Sequence, residues 1–242
     1  MQQTVTFVSV GPGNPDLITM KALCRLKESD IVLVPATYSG EGKPVSRAAD
    51  IINYWQLPTE IRLCPIPMER SGNEARKAYE EMCILIGQLL QQGKRVAVAV
   101  EGDISIYASM HYVVERLKAA GTAVEQTPGI TSFTAAAATA QLSLASHNER
   151  LTVIPGNTDE DEMLRLLCGG HILVILKLPR CQQAVKSFIS RHPEYNYHYL
   201  ENVSTPDEFH CSDPHKIMQR DMPYFSILII KEKRDRKNDY QP

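Results

Sequence analysis

Short unbroken apolar runs alternate with stretches whose apolar residues return every three or four positions. Residues 4–10 (TVTFVSV) form a β-rich run that stops at Gly11-Pro12-Gly13, which predicts a buried strand entering a loop. From 16 to 27 the apolar positions Leu17, Met20, Leu23, Cys24 and Leu26 keep helical spacing, and residues 30–35 (DIVLVP) form a second buried run. Strand, helix and strand in that order predict a βαβ unit of a parallel sheet. The rhythm continues with helices over 46–53 and 73–92, a strand over 95–100 and a helix over 107–120 closed by Gly121. After that the strands crowd. Runs at 124–128, 150–155, 171–178 and 224–231, with another at 197–200, are separated by helical stretches at 133–141, 159–168 and 181–191. The pattern predicts an α/β protein of two α/β domains, 1–122 and 123–242, with a frayed charged tail from 232.

Composition narrows the function classes. The chain of 242 residues carries 26 basic and 28 acidic side chains, a formal charge of −2, which lacks the basic footprint of nucleic-acid binders. No apolar run is long enough to span a bilayer, and the first residues lack the basic flank and apolar stretch of a signal peptide, so no membrane partner and a cytoplasmic location are expected. The cysteines (24, 64, 83, 168, 181 and 211) are scattered without a C-x-x-C pair. His210, Cys211 and His215 come nearest to a metal constellation. They lie in a stretch rich in Pro, Asp and Ser that reads as a surface loop, and no metal is expected.

Three loops share one position, after an apolar strand and before a helix. They are Gly11-Pro12-Gly13-Asn14-Pro15-Asp16, Glu101-Gly102-Asp103 and Pro128-Gly129-Ile130-Thr131-Ser132. Ligands of open α/β sheets gather at the carboxyl ends of strands, and glycine lets backbone approach them closely. Gly11-Pro12-Gly13 begins like a dinucleotide fingerprint, but Asp16 holds the third glycine position, where a carboxylate opposes a pyrophosphate. A P-loop is excluded because no G-K-[ST] occurs.

The stretch 10–22 (VGPGNPDLITMKA) resembles the opening signature of the tetrapyrrole methylases, and Glu101-Gly102-Asp103-Ile104-Ser105-Ile106-Tyr107 resembles their second, in which Ile104 replaces the usual proline. That replacement is expected to loosen the loop. Residues 128–136 (PGITSFTAA) resemble the third signature, and the similarity runs from about residue 4 to 231. Residues 32–36 (VLVPA), 64–68 (CPIPM), Glu101, Tyr107, 176–178 (LKL) and 224–228 (YFSIL) are most similar to the C20-methyltransferases of cobalamin synthesis, which act on precorrin-2 or cobalt-factor II. Uroporphyrinogen-III methylases carry an Asp-Arg pair where this chain has Pro35-Ala36.

The resemblance implies two α/β domains with the cofactor site between them, and methyl transfer from S-adenosylmethionine to a ring carbon. It implies a cofactor pocket lined by Gly11, Pro12, Gly13, Gly102, Asp103, Ile106, Thr131, Ser132 and Lys177. For Asp103 and Ser132, a helix-capping role is compatible with such contacts. It further implies a homodimer and a flat, carboxylate-rich tetrapyrrole substrate, for which Lys43, Arg47, Arg116, Lys177 and Arg180 are candidates for a basic lip. Glu101 and Tyr107 are the candidates for a base that removes a proton after methylation. The polar segment 36–43 is expected to form a mobile cover. Two other readings stay open, a methylase of the same fold with another acceptor and a binding protein without turnover.

Overall fold

The computed structural model describes residues 4–38, 42–67 and 73–233 and divides into two compact units, Met1–Ser132 and Phe133–Pro242. In the first unit, the strands are β1 (Thr4–Ser9), β2 (Ile31–Tyr38), β3 (Pro44–Val45), β4 (Glu60–Pro65), β5 (Val96–Val100) and β6 (Ala123–Thr127). Parallel pairings order five of them β4-β2-β5-β1-β6, and β3 adds a short antiparallel pairing at Thr37 and Tyr38. Both faces are covered. Val5, Phe7, Leu33, Val98 and Val100 pack with helices α3 (Asn73–Gln91) and α4 (His111–Ala119). The alternate residues Val8, Val10, Val32, Val34, Ala97 and Ala99 pack with α1 (Met20–Glu28) and α2 (Arg47–Tyr54). Burial on two sides is why these strands read as continuous apolar runs.

The helix after β1 lies on one face of the sheet and the helix after β5 on the other. Their connections therefore part above the strand ends, which makes the boundary between β1 and β5 a topological switch point. Register brings a third loop level with them, since Ser9 lies opposite Val100 and Val8 opposite Thr127.

The expected boundary at 122/123 is corrected. β6 pairs with β1 over Thr4–Val8, so residues 123–127 complete the first sheet and the division falls after Ser132. The helix expected over 107–120 begins only at His111: Tyr107 takes a left-handed conformation (φ +50°) that a helix does not admit, and Ala108, Ser109 and Met110 accept in tighter i→i+3 turns that lead into it. Residues 39–41 of the expected cover, Met68 and the tail from 234 lie outside the described residues.

The second unit comprises α5 (Ser132–Thr139), whose first residue closes the first unit, β7 (Arg150–Ile154), α6 (Glu160–Cys168), β8 (His171–Leu176), α7 (Gln182–Arg191), β9 (Tyr195–Glu201), β10 (Phe209–Cys211), α8 (Pro214–Met218) and β11 (Ser226–Glu232). Its sheet runs β10-β9-β11-β8-β7, with β7 and β8 parallel and the other pairs antiparallel. Tyr195, Tyr197 and Tyr199 share one face with Leu173, Ile175, Leu228 and Ile230, and α6 and α7 cover it with Met163, Leu167, Val185 and Phe188. The stretch expected as a loop around 210–215 instead contains β10 and α8, anchored by the buried Ile217. Among the described residues no helix is long and apolar enough to cross a membrane.

Asp30 joins β2 to the segment entering β5. Its carboxylate accepts from the Arg95 amide (2.8 Å), Nε (3.3 Å) and Nη2 (2.6 Å). The side-chain and backbone hydrogen bonds from Arg95 lower its pKa from 3.8 to about 2. A carboxyl with a lower pKa in the folded than in the unfolded chain adds stability above the unfolded value and loses it as pH falls through the folded one. Asp30→Asn should therefore melt below the wild type at pH 7 and converge with it near pH 2 in circular-dichroism melts; a constant gap across that range would contradict the assignment.

Candidate functional site

The three sequence-flagged loops meet. Gly11 (φ +87°) and Gly102 (φ +70°) bridge β1 and β5 by two hydrogen bonds: Gly102 N donates to Gly11 O (2.7 Å) and Gly11 N donates to Gly102 O (3.3 Å). Both glycines use the left-handed region that L side chains avoid. Gly129 brings in the third loop. A Cβ there would lie 2.5 Å from Gly102 O and 2.7 Å from Ser9 Cβ, so only glycine permits this approach. Its amide donates to Asp103 Oδ2 (2.7 Å), and Pro128 O accepts from the Thr19 hydroxyl (3.4 Å), which also caps α1 through Ala22 N.

Asp103 is the brace of this knot. Oδ1 accepts from the Ser105 amide (2.8 Å) and hydroxyl, and Oδ2 accepts from Gly129. Burial raises its pKa, but the bonds from the Ser105 hydroxyl, the Gly129 amide and the Ser105 amide together outweigh it and keep the carboxyl below its ordinary value. The capping role expected of Asp103 takes the form of an Asx-type turn onto Ser105, with Ile106 N donating to Asp103 O (3.2 Å).

Ile104 does not leave the loop loose. Its side chain is 4% exposed within the α3/α4 core, and its amide donates to the buried Ser9 hydroxyl (3.0 Å), a bond proline cannot make. Ser9 and Thr19 escaped the sequence reading. The available signal for Ser9 is a hydroxyl inside an apolar strand, where burial demands a partner.

Glu101 lies 3.8 Å from the Arg47 guanidinium, with about a third (32%) of its side chain exposed. Burial of the carboxyl raises its pKa to about 7, against the pull of Arg47. Pro12 is buried, Gly13, Ile106, Thr131 and Ser132 are half-buried, and Tyr107 is exposed. Among the described residues a Cβ on Gly102 would meet no atom within 4 Å, so this side of the backbone faces open space.

Lys177 belongs to the second unit, at the end of β8, in a left-handed conformation (φ +55°). Gly156 packs against its carbonyl, and its ammonium stands 6.0 Å from the centre of the Tyr224 ring. Burial, and then Arg180, lower its pKa. Arg116 leaves the proposed basic lip. It sits in the last turn of α4, away from the loop that precedes this helix, and pairs with Glu80 on α3 (3.1 Å). His210 and Cys211 lie on β10, where Ser212 Oγ links the His210 ring (3.3 Å) to that of His198 (3.1 Å). Among the described residues no group of three or more His, Cys, Asp or Glu is placed to hold a metal ion.

Residues 4–214 match the family model of the tetrapyrrole (corrin/porphyrin) methylases. The chain belongs to this family. Members use S-adenosylmethionine as methyl donor. It is 29% identical over 228 residues to the cobalt-precorrin-2 C(20)-methyltransferase of Salmonella typhimurium, covering 93% of this chain and 94% of that one. It is 27% identical to the precorrin-2 C(20)-methyltransferase of a Sinorhizobium species over 95% of each chain. The X-ray structure of a cobalt precorrin-4 methyltransferase superposes with a TM-score of 0.70 at 22% identity, over 94% of both chains, which shows the fold.

Gly129→Ala should lower stability by about 1–3 kcal/mol, the usual cost of an overpacked site. The same change at Gly93, where a Cβ meets nothing within 4 Å, carries only the penalty of its positive φ. Urea unfolding of the two variants compares them, and equal losses would mean that the close approach of Gly129 is not a constraint.

Proposed function

We propose that the protein transfers a methyl group from S-adenosylmethionine to C20 of precorrin-2 or cobalt-factor II in cobalamin synthesis. The observation that carries this reading is the knot itself, three glycine-bearing loops held together at the switch point of a parallel sheet. End-to-end likeness to two C20-methyltransferases supports the choice of acceptor carbon.

The open face of Gly102 fits an approaching ligand that needs bare backbone. In this reading Gly11, Pro12, Gly13, Gly102, Asp103, Ile106, Thr131 and Ser132 hold the donor. When bound, it supplies an electrophilic methyl group on a sulfonium. The chain's residues have three tasks. The loops orient donor and acceptor, a form of preorganisation worth roughly 7–11 kcal/mol in well-aligned systems. The carboxylate of Asp103, kept ionised by its hydrogen bonds, provides negative charge beside a cationic ligand.

The third task is proton removal. A ring carbon that gains a methyl group regains its conjugation by losing its proton, and Glu101, with a pKa of about 7, takes it at a carboxylate oxygen. Arg47 limits how far burial raises that pKa. Tyr107, in its left-handed conformation, is the second candidate for this step. The active form is a homodimer.

Turnover under anaerobic conditions with each acceptor, using a 13C-methyl donor, tests the assignment. The label should appear at C20 in the NMR spectrum of the product; label at another carbon points to a different acceptor position, and no formation of S-adenosylhomocysteine points to a binding protein. Glu101→Gln should lower kcat by about 10²–10⁴-fold and abolish the rise of kcat through pH 7. An unchanged profile would remove Glu101 from the chemistry.

A further inference from the structure

We propose that Ser9 is a positioning residue for the donor site, its hydroxyl holding the Gly102–Ile106 loop in its ligand-ready shape by accepting from the Ile104 amide. Ser9 makes no contribution to the accessible surface, and it interrupts an otherwise apolar run between Val8 and Val10. A hydroxyl in that position is costly without a partner. Its partner is the amide of residue 104 at 3.0 Å, itself buried.

The loop geometry shows why this amide matters. Ile106 N donates to Asp103 O, so Ile104 is the second residue of a tight turn. Neither Ile104 nor Ser105 has a positive φ, which makes the turn type I. The second position of such a turn suits proline, which has no N–H to satisfy. An isoleucine there brings an N–H into the protein interior, and Ser9 supplies the acceptor. The Ser9 Cβ is also one of the two atoms that a Cβ at Gly129 would strike, after the Gly102 carbonyl oxygen, so one side chain sets the second loop and supports the third. Removing the hydroxyl alone strands a buried donor, whereas removing both ends of the bond leaves no polar group unpaired.

This inference rests on the donor site proposed above. Its test is calorimetric titration of the full-length protein with S-adenosylhomocysteine, for the wild type, Ser9→Ala and the double variant Ser9→Ala/Ile104→Pro, each below its melting temperature. Ser9→Ala should bind about tenfold more weakly, the loss of roughly one net hydrogen bond. The double variant should recover to within about threefold of the wild type. A role confined to stability would lower melting temperatures and leave the dissociation constant of the folded protein unchanged. Equal affinity of Ser9→Ala and wild type overturns the role of Ser9, as does a double variant that binds no better than Ser9→Ala. A wild type that does not bind S-adenosylhomocysteine overturns the donor-site reading instead; hydrogen exchange then still reads the Ile104 amide, and equal protection in Ser9→Ala and wild type counts against the bond.

Discussion

The absence of one methyl group at Gly129 makes the arrangement of loops possible. With no Cβ, the backbone after β6 reaches the Gly102 carbonyl and the Ser9 side chain, and its amide reaches Asp103. Level strand ends bring the loops near one another, but register alone leaves room between them. The Gly129–Asp103 bond closes that room and consumes a carboxylate lone pair to do so. Asp103 is therefore first a structural group. Whatever it does for a ligand, it does as a fixed charge whose position the surrounding amides dictate.

Two carboxylates in this loop are driven in opposite directions. Asp103 receives three hydrogen bonds and stays ionised, while Glu101, with Arg47 as a more distant counter-charge, is pushed by burial to about 7. Environments that push two neighbouring acids apart in this way suit the division of labour proposed above, a fixed charge at Asp103 and proton transfer at Glu101. Protonation of Glu101 is favoured by folding, so its contribution to stability diminishes as pH rises from the unfolded carboxyl value toward 7.

Legibility in the sequence followed the physics of burial. Strands buried on both faces, such as β1, β2 and β5, stand out as apolar runs, and their loops are marked by glycine. β4 does not stand out. It pairs with β2 along one edge, and its exposed Glu60 and Arg62 mask the strand. β10 and α8 are too short for periodicity to register, within a stretch whose Pro, Asp and Ser suggest a loop. At the site, the glycines and Asp103 were visible as a motif. Ser9 was not, because its role appears only when β1 and the 102–106 loop are brought together across 95 residues of sequence. Arg116 fails for a different reason: it falls in the last turn of the helix that follows the 101–107 loop, at the end away from the strand termini, and its charge is taken up by Glu80 on α3.

Hydrogen–deuterium exchange of the whole protein with and without S-adenosylhomocysteine tests most directly whether these loops form one ligand-holding unit. Peptides covering 10–14, 101–107 and 128–132 should gain protection together at a single ligand concentration, with the strands beneath them unchanged. Protection confined to one loop, or appearing elsewhere in the first unit while these three exchange freely, would contradict the account.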